Sequence, residues 1–219
     1  MADVVLVIGG TGRTGRQVVR GLVRQGVTAR AFGRRAARVV EGAAAVRGDI
    51  TDPASVHAAT RDVDGVVIAV ESAFSDADRN SPARVHLDGV RHVAEAVGAD
   101  AHVVLVTQIY ITRADSHPEM AAMIDWRGRA EEALRGSGLR YTIVRPAWLT
   151  NRAGGAQAIR LEQGDTGDGE VAREDVAEVC VQALAHPQAA AGKTFEVYNE
   201  PGAPPRDWEA AFATLAPDR

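Results

Sequence analysis

The sequence predicts an α/β fold, a doubly wound parallel sheet with helices on both faces. Three observations carry this prediction. Short apolar runs alternate with amphipathic stretches along the 219 residues. The runs are continuous, as in Val66-Val67-Ile68-Ala69-Val70 and Val103-Val104-Leu105-Val106, which is the pattern of strands buried on both faces. The first run, Val4 to Ile8, passes through a glycine-rich turn directly into a helical pattern from Arg16 to Val23.

Taken in order, strands are expected near 4–8, 28–32, 44–47, 64–70, 102–107, 140–145 and 194–199. Helices are expected near 13–25, 53–60, 80–98, 119–136, 173–185 and 206–216. Asp52-Pro53 and Ser81-Pro82 read as helix starts, a capping side chain followed by proline in the first turn. Gly154-Gly155 marks a loop. Trp208, Phe212 and Leu215 recur at helical spacing and read as core. The length fits one domain, 1–219. Segments of about 146–170 and 200–219 are expected to form a small C-terminal extension on the substrate side, with Trp148 through Gly169 lining much of the pocket.

Composition excludes several classes. The net charge of −4 argues against nucleic acid as the main partner. No run of about 18 apolar residues is present, so no membrane span is expected. The N-terminal apolar stretch is five residues long and follows Asp3, unlike a signal peptide. The single cysteine, Cys180, rules out an internal disulfide and a cysteine-based zinc site; it lies in a helical stripe with Val176, Val179 and Leu184 and reads as a buried thiol. A soluble cytoplasmic protein is expected. Asp165-Thr166-Gly167-Asp168-Gly169-Glu170 does not match the ligand order of a calcium loop and reads as a hairpin turn. His86, His92 and His102 show no metal-ligand spacing. Whether the protein forms a homodimer or docks on a protein partner stays open.

The turn itself carries the chemistry. Gly9, Gly12 and Gly15 are spaced by three, with Thr11, Arg13 and Thr14 between them. Glycine allows phosphate oxygens to approach backbone N–H groups, and the helix that follows opens with unpaired donors and a partial positive charge. Strand, turn and helix in this order form the pyrophosphate site of a Rossmann-type fold. A GxxxxGK[ST] phosphate loop is excluded, because the chain's one lysine is Lys193. About 20 residues past the turn, where an acidic residue holds the ribose 2′-OH in NAD sites, stand Arg34 and Arg35. A guanidinium grips a 2′-phosphate with two hydrogen bonds, where a carboxylate repels it. NADP(H) is therefore expected over NAD(H), with Arg34 and Arg13 as phosphate ligands. The alternative is that Arg35 and Arg38 merely face solvent.

Gly9 to Gly15, Gly48-Asp49-Ile50-Thr51-Asp52, the string Ser137-Gly138-Leu139-Arg140-Tyr141-Thr142-Ile143-Val144-Arg145-Pro146, and Ala172 to Ala177 together resemble the atypical short-chain dehydrogenase/reductase superfamily. The nearest subgroup is the single-domain NAD(P)H-binding proteins similar to NmrA-like proteins and biliverdin/flavin reductases. The resemblance implies that Asp49 and Ile50 meet the adenine and that Pro146-Ala147-Trp148-Leu149 passes near the nicotinamide. Asp49 reads equally well as a turn residue or a cap. Strand ends face the ligand in such sheets, which adds Ala69, Val70 and Thr107 to the expected cofactor contacts.

One departure stands out. Family members use Tyr-x-x-x-Lys on the helix after the fifth strand, with both side chains on one helix face. Here Met123, Arg127 and Glu131 stand at four-residue steps, and the resemblance to strings of the form YxxxKxxxE implies that Met123 takes the tyrosine place and Arg127 the lysine place. None of the three tyrosines, Tyr110, Tyr141 and Tyr198, has a lysine four residues on. Arg127 either holds a ribose hydroxyl or faces solvent; its guanidinium is a poor acid or base at neutral pH. Thr107 either donates to a carbonyl or ends the strand. Tyr110 either supplies a proton or packs over the site. His117 is a weaker candidate, with a solvated loop histidine as the alternative. The expectation is an NADPH-dependent reductase of a small conjugated or carbonyl acceptor, or a non-catalytic NADP(H) sensor acting through a protein partner. An epimerase or dehydratase is disfavoured by the missing pair.

Overall fold

The computed structural model describes residues 2–35, 40–73 and 77–218. The N-terminal half follows the expected alternation: β1 (Val4–Ile8), α1 (Arg13–Arg24), β2 (Thr28–Gly33), β3 (Ala44–Arg47), α2 (Pro53–Ala59) and β4 (Gly65–Ile68). A π-helical stretch, Ala83–Asp88, runs into α3 (Gly89–Ala96) where one continuous helix was expected. Then come β5 (His102–Val106), α4 (Ala121–Arg135), β6 (Arg140–Pro146), β7 (Trp148–Thr150), β8 (Ala158–Glu162), β9 (Glu170–Ala172), α5 (Arg173–Ala185), α6 (Pro187–Ala190), β10 (Lys193–Glu200) and α7 (Trp208–Ala213).

Eight strands form one sheet in the order β3-β2-β1-β4-β5-β6-β10-β8. All neighbours are parallel except the edge pair β10–β8, in register Glu196↔Glu162 to Glu200↔Ala158. Alternation along β1 shows why both faces need cover. Val5 and Val7 join α1 and α5 in one core, through Val18, Val19, Leu22, Val176 and Val179. Leu6 and Ile8 join α2, α3 and α4 in the other, through Val56, Val90, Val93 and Leu134. The chain leaves β1 toward β2 on one side and returns to β4 on the other, so the order reverses between β1 and β4. Crevices for ligands open at such a reversal, beyond the carboxyl ends of the strands.

Two expectations need correction. Asp165 to Glu170 is not a hairpin turn: β8 pairs with β10 and β9 pairs in parallel with β7, so the segment passes from one sheet to another. The C-terminal segment does not lie on the substrate side. Beyond Arg206 it runs back toward the amino end of β10, where Lys193 Nζ donates to Phe212 O at 2.7 Å and Asp218 accepts from Thr194, Tyr141 and Arg135. Trp208, Phe212 and Leu215 are buried, and the Phe195 and Phe212 rings lie 5.8 Å apart. Asp52 caps α2 as expected, accepting from Ala54 N–H. Cys180 is fully buried, and burial pushes its thiol up to about 12. No helix among the described residues is long and apolar enough to cross a membrane.

Candidate functional site

A cleft of about 720 Å³ opens at the reversal point. Gly9, Thr11, Gly12, Arg13, Thr14, Arg34, Arg35, Asp49, Ile50, Ala69, Val70, Thr107, Tyr110, Arg127, Pro146 and Trp148 all line it. Gly15 does not line the cleft; it builds the turn. A Cβ on Gly15 would lie 2.3 Å from the Gly9 carbonyl oxygen. Gly9 itself adopts φ +85, and a Cβ there would lie 2.2 Å from the Ala69 carbonyl oxygen. The turn therefore stacks backbone on backbone between β1, β4 and α1. Gly12 is the N-cap of α1, no side chain caps it, and the first turn holds no acidic residue. Its leading N–H groups are left for an anion. An orphaned helix start beside glycines this tightly packed fits a dinucleotide's pyrophosphate.

Arg34 is exposed at the end of β2, and its Nη1 donates to Asn80 Oδ1 at 2.5 Å. Asn80 lines the same cleft and was not foreseen. Arg38 lies outside the described residues. Asp49 is in part a turn residue: its Oδ1 accepts from Thr51 N and Thr51 Oγ1 at 3.1 and 3.0 Å. Ile50 is buried against α3, where a Cβ on Gly89 would come within 2.8 Å of it.

On the far side, Met123 and Arg127 face the cleft from α4. Arg127 is buried, which excludes the solvent-facing alternative. Its Nη2 donates to Glu71 Oε1 at 2.6 Å and its Nη1 to Gln108 Oε1. Glu71 and Gln108 were missed by name, although they lie within three residues of the ends of β4 and β5. Thr107 Oγ1 donates to Glu131 Oε1 at 2.7 Å. Glu131 is fully buried and also accepts from Arg145 Nε and Nη2 and from Arg135 Nη2. The Thr107 proton is thus directed away from the cleft. Arg145 continues to Glu196 at 3.1 Å, and Glu196 accepts from Asp165 N–H. Burial pushes the Glu196 carboxyl up, against the pull of Asp165 N–H and Arg145.

Tyr110 packs over the site, with φ +74. Asp165 holds it there by accepting from Tyr110 N and Thr112 N at 2.7 and 2.8 Å. The Tyr110 hydroxyl donates to Asp168 at 2.7 Å and accepts from Trp148 Nε1. Burial and then the Asp168 bond push its phenol above the ordinary range. His117 stacks on Tyr110 at 4.2 Å and bonds Glu119, so it packs behind the cleft wall instead of lining it. Trp148, 45% exposed, and Leu149, 36% exposed, form an open apolar lip. Residues 150–169 do not line the cleft, contrary to expectation; Asp165, Gly167 and Asp168 among them bond the Tyr110 loop. No group of His, Cys, Asp and Glu among the described residues could hold a metal ion.

Comparison with known proteins agrees with this geometry. Over 93% of its length the chain is 27% identical to sanguinarine reductase of Eschscholzia californica, covering 88% of that protein. Over 84% it is 30% identical to an NAD(P)H azoreductase of Xenophilus azovorans, covering 64% of it. A short-chain dehydrogenase/reductase of Veillonella parvula, solved in complex with NADP, superposes with a TM-score of 0.72 at 19% identity, over 94% of this chain and all of that one. Residues 9–187 match the family described as NAD(P)H-binding. With an oxidoreductase-like α/β fold and a cleft built on the glycine turn, the chain belongs to that NAD(P)H-binding family.

Proposed function

We propose that the protein is an NADPH-dependent reductase of a small conjugated acceptor. One observation carries the reading: among the described residues, the two hydroxyls that line the cleft beyond the ends of β5 and β6, those of Thr107 and Tyr110, already donate to carboxylates. Thr107 donates to Glu131, Tyr110 donates to Asp168, and a thioether, Met123, stands in the tyrosine place. A simple carbonyl needs a positioned acid as hydride arrives. A flavin, quinone or azo-type acceptor spreads the charge and takes its proton from water.

The nicotinamide, when bound, supplies hydride; the chain's residues bind and orient. Arg34, oriented by Asn80, holds the 2′-phosphate, and the start of α1 with Arg13 on its first turn holds the pyrophosphate. Asp49 and Ile50 flank the adenine. Arg127, fixed by Glu71 and Gln108, donates toward the ribose. Trp148 and Leu149 offer a flat apolar surface on which a conjugated acceptor stacks. The reductase names among the relatives support this reading.

The test is NADPH oxidation against a flavin, a quinone, an azo dye and a simple aldehyde, with NADP+ and NAD+ titrated in parallel. Turnover of conjugated acceptors with the aldehyde at the blank rate is expected. Arg34→Ala is expected to weaken NADP+ about tenfold or more while leaving NAD+ unchanged. Aldehyde reduction at the rate of the conjugated acceptors would overturn the reading. The same engagement of Thr107 and Tyr110 also favours a second reading, a non-catalytic NADP(H) sensor. Tight NADP+ binding without turnover of any acceptor would select it.

A further inference from the structure

We propose that Arg173 is a ligand of the cofactor pyrophosphate, closing with Arg13 over the glycine turn; this rests on the dinucleotide reading above. Helix α5 packs along α1, where a Cβ on Gly21 would meet Val181 at 3.0 Å. As crossovers of one parallel sheet, both helices begin at its carboxyl end. Arg173 is the first residue of α5 and Arg13 the first of α1, and both line the cleft.

The geometry of Arg173 is specific. Its Nη1 donates to Leu149 O at 3.2 Å and to Asn151 Oδ1 at 2.9 Å. Among the described residues no group bonds its Nε or Nη2, so the side edge of the guanidinium presents two parallel donors. That is the fork that takes two oxygens of a phosphate. Arg13 has no hydrogen-bond or ion-pair partner among the described residues. The two guanidiniums lie close enough to repel: burial first, then Arg13, lowers the proton affinity of Arg173, with Glu71 pulling the other way. Two cations held near each other beside an open helix start match the two negative charges of a pyrophosphate. Because the anchor of Arg173 is the β7 segment, its engagement also fixes the strand that carries Trp148.

Binding of NADP+ and of adenosine 2′-monophosphate, which has the 2′-phosphate and no pyrophosphate, tests this on the full chain. Arg173→Ala is expected to weaken NADP+ about tenfold and leave the monophosphate unchanged, whereas Arg34→Ala weakens both. Arg173→Lys, which keeps the charge and loses the fork, should fall between. Unchanged NADP+ affinity in Arg173→Ala overturns the proposal, as does equal damage to both ligands. If wild type binds the monophosphate and NADP+ equally, the clamp fails while the 2′-phosphate reading stands. If wild type binds neither, both readings fail.

Discussion

At the residue scale, Glu131 shows how chemistry and stability divide within one helix. Its carboxylate is fully buried and accepts from Thr107, Arg145 and Arg135. A charge in that position persists only because it is paired and fully bonded. Arg145 feels burial as a penalty, yet Glu131 and Glu196 together hold its proton above the ordinary range. Removing one charge strands its partner in a dry interior. Glu131→Gln is therefore expected to cost about 3 kcal/mol, read as a lower urea midpoint at unchanged slope. It also turns an acceptor-only group into a partial donor toward Thr107. Sequence spacing placed Glu131 on the Met123–Arg127 face and Arg135 one turn beyond it, but Thr107 and Arg145 come from the end of β5 and from β6, and spacing along one helix does not report them.

At the element scale, the glycine turn is the site's least tolerant part. Alanine in mid-helix ordinarily stabilises relative to glycine by roughly 0.5–1 kcal/mol. At Gly15 the added carbon would stand 2.3 Å from a carbonyl oxygen of Gly9, which is itself packed on Ala69. Backbone cannot yield there as a side chain can. Gly15→Ala is expected to lose about 1–3 kcal/mol in a denaturant titration and to abolish dinucleotide binding. The N-terminal half was legible because each element carries a strong period or cap: Val4 to Ile8, Asp52-Pro53, Val103 to Val106. Residues 146–172 were not. Strands β7 and β9 are three residues each, too short to display a period, and their pairing joins Trp148↔Glu170 across 21 intervening positions. The role of the Asp165 segment was hidden for the same reason. Its carboxylate acts on Tyr110 and Thr112, some 50 positions away. The cleft's strand-end contacts were readable from topology, whereas the partners that fix their proton positions were not.

At the scale of the whole molecule, two buried histidines set the response to acid. Burial lowers His86 to about 3, helped by Arg127, and lowers His102 to about 4, helped by Arg140. Both values lie below the unfolded value of about 6.5. As pH falls below about 6.5 the unfolded chain binds protons that the native sites refuse, so stability is complete above that point and declines toward pH 4. Two such groups give a slope of up to about 2.7 kcal/mol per pH unit near pH 5. Glu196, with its raised carboxyl, works in the opposite direction and offsets part of it. Urea midpoints at pH 7, 6 and 5 should fall in that order. The α4 anchor has a wider consequence. Glu131 ties the helix to β6 one turn beyond Arg127, so α4 has an anchor separate from the two positions that face the cleft, 123 and 127. A lineage can retire one reaction there and acquire another without passing through an unfolded ancestor, which makes this helix a natural place for new activities to begin.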